Sequence, residues 1–221
     1  AVEQRLAYPL VGLRHGLCVV RIVEVDHQSG ASEATCLALK NQALALQEYA
    51  QTHKNIRAVV VLIGANDYGF AEILETCVVN WLTSPSWWKN YCYDDSSVSS
   101  RFTASNINAK TAAIRDAFLR VRQAMSNAGY SDSQYTIVAH TYWSPVPSGS
   151  GIRYSESGWT RQSVGGCGFW NNDANWANST ALVKINNSVK SAAATAGVKV
   201  LDLAAAFNGR RLCENTVNLM E

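Results

Sequence analysis

A chain of 221 residues with 48% apolar side chains can bury one full core, and it is short for two. Its 19 Lys and Arg nearly balance 17 Asp and Glu, and no basic run is interleaved with aromatics, so nucleic acid is excluded as an expected partner. The apolar run around residue 60 falls far below the roughly 20 residues of a membrane-spanning helix, and Arg14, His15 and Arg21 break up the N-terminal region, so no transmembrane segment is expected.

The first residues, AVEQRLAYP, lack the basic and apolar regions of a signal peptide, which leaves a cytosolic chain or the mature part of a longer precursor. Residues 19–25, VVRIVEV, have strand composition. Residues 33–53 carry Leu37, Leu39, Leu44, Leu46 and Tyr49 amid Ala, Gln and Lys, a helical mixture. A second strand follows in VVVLIGANDYGF, residues 59–70. The clearest helix covers 103–129, with Ile107, Ile114, Phe118, Val121 and Met125 at helical spacing and Gly129 as its C-terminal cap. Strand YTIVAHTYW comes next, then a passage rich in Gly, Ser and aromatics from Ser144 to about Asn178. Helix ALVKINNSVKSAAATAG leads into strand VKVLDLAAAF. This alternation predicts an α/β fold with a mainly parallel sheet and right-handed crossovers.

Six cysteines, Cys18, Cys36, Cys77, Cys92, Cys167 and Cys213, form no CxxC pair and have no His at metal-ligand spacing. That pattern favours disulfides over zinc and an exported protein, with no metal expected; six reduced, packed thiols are the alternative. Cys77 and Cys92 bracket a polar, aromatic loop that a bridge would pin.

In open parallel sheets, ligands lie at the carboxyl ends of the strands, where the GAND segment sits. Neither GxGxxG nor GxxxxGK[ST] occurs, so no nucleotide cofactor is expected. Gly64 lets the backbone turn as it leaves the sheet, and Asn66 offers a neutral NH2 donor of the kind an oxyanion hole uses. The same residue types are also common turn formers, and both readings stand on spacing alone.

VVVLIGANDYGF, followed by a helix and a cysteine in AEILETC, resembles block III of the SGNH or GDSL hydrolases, a family of serine esterases and lipases. LALQEYAQTHKNIRAVVVLIGANDYGFAEILETC, SPSWWKNYC, GGCGFW and LDLAAAFNGRRLCEN are similar to its secreted actinobacterial branch, over roughly residues 36–215. The resemblance implies a three-layer, flavodoxin-like α/β/α sandwich, an ester or lipid substrate, no cofactor, and secretion. It implies Asn66 as side-chain oxyanion donor, Gly30 as the backbone donor, and Gly64 and Asp67 as support for the motif.

Two family blocks have no counterpart here. No G-D-S nucleophile block occurs; aligning VDHQSGAS beneath it matches Asp26 but puts His27 at the nucleophile's position, and Ser29 reads as a turn residue. No D-x-x-H block follows AFNGRRLCEN. The resemblance therefore implies one SGNH-type domain over residues 1–221 that lacks both ends, with nucleophile and base unassigned. His15 and His53 read as solvated, and His140 at a strand end lines the cleft with Trp143 or is structural. Trp81, Trp87, Trp88, Tyr91 and Tyr93, with Trp143, Trp159, Trp170 and Trp176, could wall an acyl pocket, stack on sugars, or form a loop core. A non-catalytic glycan- or lipid-binding domain on this fold is thus the second functional reading. Oligomeric state is not legible.

Overall fold

A computed structural model describes residues 20–25, 32–36 and 42–217. Five strands make one sheet: β1 (Val20–Val25), β2 (Ser32–Cys36), β3 (Ile56–Val61), β4 (Thr136–His140) and β5 (Lys199–Leu201), in the order β2-β1-β3-β4-β5. β3, β4 and β5 run parallel, whereas β1 pairs antiparallel with both β2 and β3. The fold is α/β, as expected, and its parallel pairing lies in the half of the sheet that carries the GAND turn.

The segment 33–53 differs from its sequence reading. Ser32–Cys36 is a strand registered on β1, Arg21 opposite Cys36 and Val25 opposite Ser32, and the helix α1 spans only Gln42–Thr52. Alternation is weak in SEATC, so pairing with a neighbouring strand overrides local propensity.

Along β3 and β4 burial alternates, as strand geometry requires. Val59, Val61, Ile137 and Ala139 are buried on one face, and Ala58, Val60 and Val138 are half-buried on the other. α1, α3 (Ala104–Asn127) and α4 (Leu182–Ala196) share the core with the buried face.

α3 forms where the periodicity predicts, burying Ile114, Phe118, Val121 and Met125. The Thr103 side chain accepts from Asn106 N–H at its start. At its end Gly129 adopts φ +87° and Tyr130 N donates to Met125 O, a left-handed stop. Phe118 is fully buried, so Phe118→Ala would cost about 3–5 kcal/mol. A second cluster joins Tyr68 to Ile73 and Cys77 of α2 (Phe70–Thr83), with Cys92, Val98 and Phe102.

Two disulfides are present among the described residues, Cys77–Cys92 and Cys167–Cys213. Cys18 and the side chain of Cys36 fall outside them. No described helix is long and apolar enough to cross a membrane.

Candidate functional site

The parallel strands deliver three segments to one sheet edge: residues 62–69 after β3, 141–143 after β4 and 202–203 after β5. At Gly64 the chain takes φ +123°, a conformation side chains oppose. A Cβ there would also meet Ile114 Cδ1 at 3.0 Å and Val189 Cγ2 at 3.2 Å. Glycine is thus required by the turn and by the core beneath it. Ala65–Tyr68 then form one 3-10 turn, closed by Asp67 N to Gly64 O (3.0 Å) and Gly69 N to Asn66 O (2.9 Å).

Long-range contacts fix this turn. The Tyr142 hydroxyl accepts from Ala65 N–H at 3.1 Å, and Asn186 both donates to and accepts from the Tyr142 backbone at 2.8 Å. Tyr68 is fully buried, its hydroxyl 2.7 Å from Ser188 Oγ, and Arg101 donates to its carbonyl. Asn66 is left exposed, and among the described residues its side-chain amide has no hydrogen-bond partner. The hydrogen-bonded turn therefore presents a neutral donor to solvent.

Charges near the donor are partly muted. Asp67 is exposed as a residue, yet its carboxyl loses enough water to hold its pKa above the ordinary value, with Lys110 and its own N–H pulling the other way. Lys110 lies 4.3 Å from the centre of the Tyr68 ring and donates to Arg101 O; burial and then the Arg101 charge lower its pKa. Burial pushes the Tyr142 hydroxyl up to about 12, so it stays protonated at neutral pH. Across the edge Asp202 is held at about 2 by hydrogen bonds from Lys190 and Thr141. That carboxylate is already committed.

His140 is half-buried, with Nδ1 3.3 Å from Thr141 O and its ring stacked on Trp143, which in turn contacts Phe207. His53 is exposed, stacked on Tyr49 and bonded to Thr52 Oγ1 at the far end of β3. Neither described histidine bonds a serine. Asp26, His27, Ser29, Gly30 and His15 lie outside the described residues. The structure thus joins Gly64, Asn66 and Asp67 in one turn, with His140 and Trp143 on the neighbouring strand end. Tyr142 and Asn186 escaped the sequence reading, because their partners lie 77 and 44 positions away.

The aromatic passages divide. Trp81 and Trp170 are buried, while Trp87, Trp88 and Trp159 are 81%, 73% and 65% exposed. Trp81, Leu82, Pro85, Glu156, Trp159 and Trp170 contribute to a cavity of about 250 Å³. A larger hollow of about 410 Å³, lined by Arg122, Tyr130 and Asp132, lies against the last turns of α3 and the segment that leads into β4, at the opposite sheet edge from Asn66. Asp173, 2% exposed, accepts from Cys92 N and Tyr93 N, and burial raises its pKa to about 6. Its carboxylate sits within 4.8 Å of Cys77 and Cys92 sulfurs, but the disulfide leaves those atoms no thiolate for a metal.

No protein-family model matches the chain, and no curated protein matches it. Among solved structures it is similar to an extracellular lipase from Streptomyces rimosus, at 22% identity over 72% of this chain and 54% of that one, with a TM-score of 0.38. It is also similar to phospholipase A1 from Streptomyces albidoflavus NA297, at 22% identity over 74% and 56%, with a TM-score of 0.40. The chain spans a little over half the length of each.

Proposed function

We propose that this chain is the charge-holding part of a secreted ester hydrolase of the SGNH type, working by serine acyl transfer on an ester or lipid. The observation that carries this reading is the exposed Asn66 amide, free of partners among the described residues, on a turn locked by Gly64, Tyr142 and Tyr68. A preorganised neutral donor stabilises a developing oxyanion without reorganising or titrating. Gly30 supplies the second, backbone donor, Asp67 supports the turn, and the domain is a single unit whose nucleophile and base are unassigned. Two disulfides support an oxidising compartment.

The test is fluorophosphonate labelling and p-nitrophenyl ester turnover by the full-length protein, wild type and Asn66→Ala. The variant is expected to lose about 100- to 1,000-fold in kcat, with stability within about 0.5 kcal/mol because the side chain is exposed. Absence of labelling in the wild type overturns the proposal. A non-catalytic binding domain is the competing reading, and the exposed Trp87, Trp88 and Trp159 favour it; it predicts ligand-dependent tryptophan fluorescence without turnover.

A further inference from the structure

The cavity between α2 and the 155–170 loops is separate from the Asn66 corner. Phe70 to Trp81 runs three turns along α2, about 16 Å at roughly 1.5 Å per residue. One face of Trp159 lies against Trp81, with centroids 6.0 Å apart and planes 22° from parallel, and 65% of the residue remains open to solvent. Trp170 packs beneath, 6.1 Å from Trp81.

Polar groups line the same space. Trp81 Nε1 donates to Glu156 O at 3.0 Å, fixing the backbone beside the indole. The Glu156 carboxylate binds Lys89 through Oε1 and Asn171 N–H through Oε2 at 2.8 Å. Burial opposes its charge, but Lys89 and the Asn171 N–H outweigh that and hold its pKa low. A carboxylate has about four acceptor sites, so both oxygens keep capacity for a ligand. Ser86 and Ser157 also line the cavity, and their hydroxyls make no hydrogen bond among the described residues.

We propose that this cavity binds one neutral pyranose ring of a saccharide. The apolar C–H face stacks on Trp159, and ring hydroxyls donate to Glu156 and pair with Ser86 and Ser157. Three observations select this ligand class. At about 250 Å³ the cavity is below the roughly 300–1,000 Å³ of drug-sized sites, so it suits a single ring. Lys89 already neutralises Glu156, so a charged ligand gains no counter-ion. An acyl chain would strip water from the serines and the carboxylate with no replacement hydrogen bond. Trp87 and Trp88, next in the chain after the lining residues Pro85 and Ser86, are exposed aromatic rings against each other.

Isothermal calorimetry of the whole protein with cellotetraose, maltotetraose, mannotetraose and xylotetraose tests the site. At least one should bind, with affinity falling about tenfold in Trp159→Ala and about fivefold in Glu156→Gln. Asn66→Ala should bind as the wild type does, whether or not the corner turns over esters. Trp159 is exposed, so its truncation leaves the fold intact. The proposal is overturned if no tetrasaccharide binds, if Trp159→Ala binds as tightly as the wild type, or if Trp159 mediates adsorption to phosphatidylcholine vesicles instead.

Discussion

The Asn66 turn and the Trp81–Trp159 cavity each hold functional groups at the surface, and they are held by different forces. The turn is backbone geometry resting on a helical core: a glycine at φ +123°, one 3-10 turn, and Ile114 and Val189 directly below. The cavity forms where the end of α2 meets irregular chain, with a disulfide at Cys77–Cys92 and a second at Cys167–Cys213. Buried polar side chains brace the chain around it. Arg161, 1% exposed, donates to Tyr154 O and Asn171 Oδ1 at 2.8 Å, and Asp173 holds the backbone of the 92–93 loop. Loops that leave a sheet must satisfy their own backbone and constrain their own entropy, and here cross-links and buried polar side chains do what regular packing does for the turn.

Removing the cross-links should separate the two regions most. Replacing Cys167 and Cys213 by serine opens a loop with a sequence separation of 46 and should lower stability by about 4 kcal/mol in the chain-entropy model. Amide exchange in residues 153–170 should rise well before exchange at Ala65–Tyr68 does. Equal loss of protection in both would show that one cooperative unit holds them, and the contrast would fail.

The next largest effect is electrostatic. Asp173 has a folded pKa of about 6 against an ordinary 3.8, because burial penalises its charge. Below pH 4 both states are protonated. Between about pH 4 and 6 the unfolded chain ionises while the folded one keeps its proton, so stability falls as pH rises through that window and is flat above it. The shift of about two units corresponds to about 3 kcal/mol. Urea denaturation across this range should show the fall in the wild type and not in Asp173→Asn; parallel curves would mean that the loop does not penalise the carboxylate.

Smallest is the turn itself. Gly64→Ala should cost about 2 kcal/mol, because an L residue resists positive φ and its Cβ presses on Ile114 and Val189. Thermal melts would register the loss while the saccharide titration stays unchanged. A change in that titration would couple the two regions.

Much of the core was readable from the chain. The spacing of Ile114, Phe118, Val121 and Met125 located α3 and Gly129 its stop, while the cysteines suggested disulfides and left their pairing open. The SEATC strand was not readable, since its partner β1, not its own periodicity, makes it a strand. In the site, the GAND turn announced itself through glycine and asparagine, but nothing near Tyr142 marks it as the acceptor for Ala65 N–H. Nor did tryptophan composition distinguish core from surface: Trp81 and Trp170 are buried, while Trp87, Trp88 and Trp159 face water.

The sequence by itself determined the helix periods and the turns at Gly64 and Gly129, because each depends on residues close along the chain. Only the tertiary structure decided the mixed strand order, the clamp of Asn186 and Tyr142 on the Asn66 turn, and the meeting of Glu156 and Trp159 with Trp81. Those contacts join residues tens of positions apart, and their energies come from shared burial and paired polar groups that exist only once the chain has closed on itself.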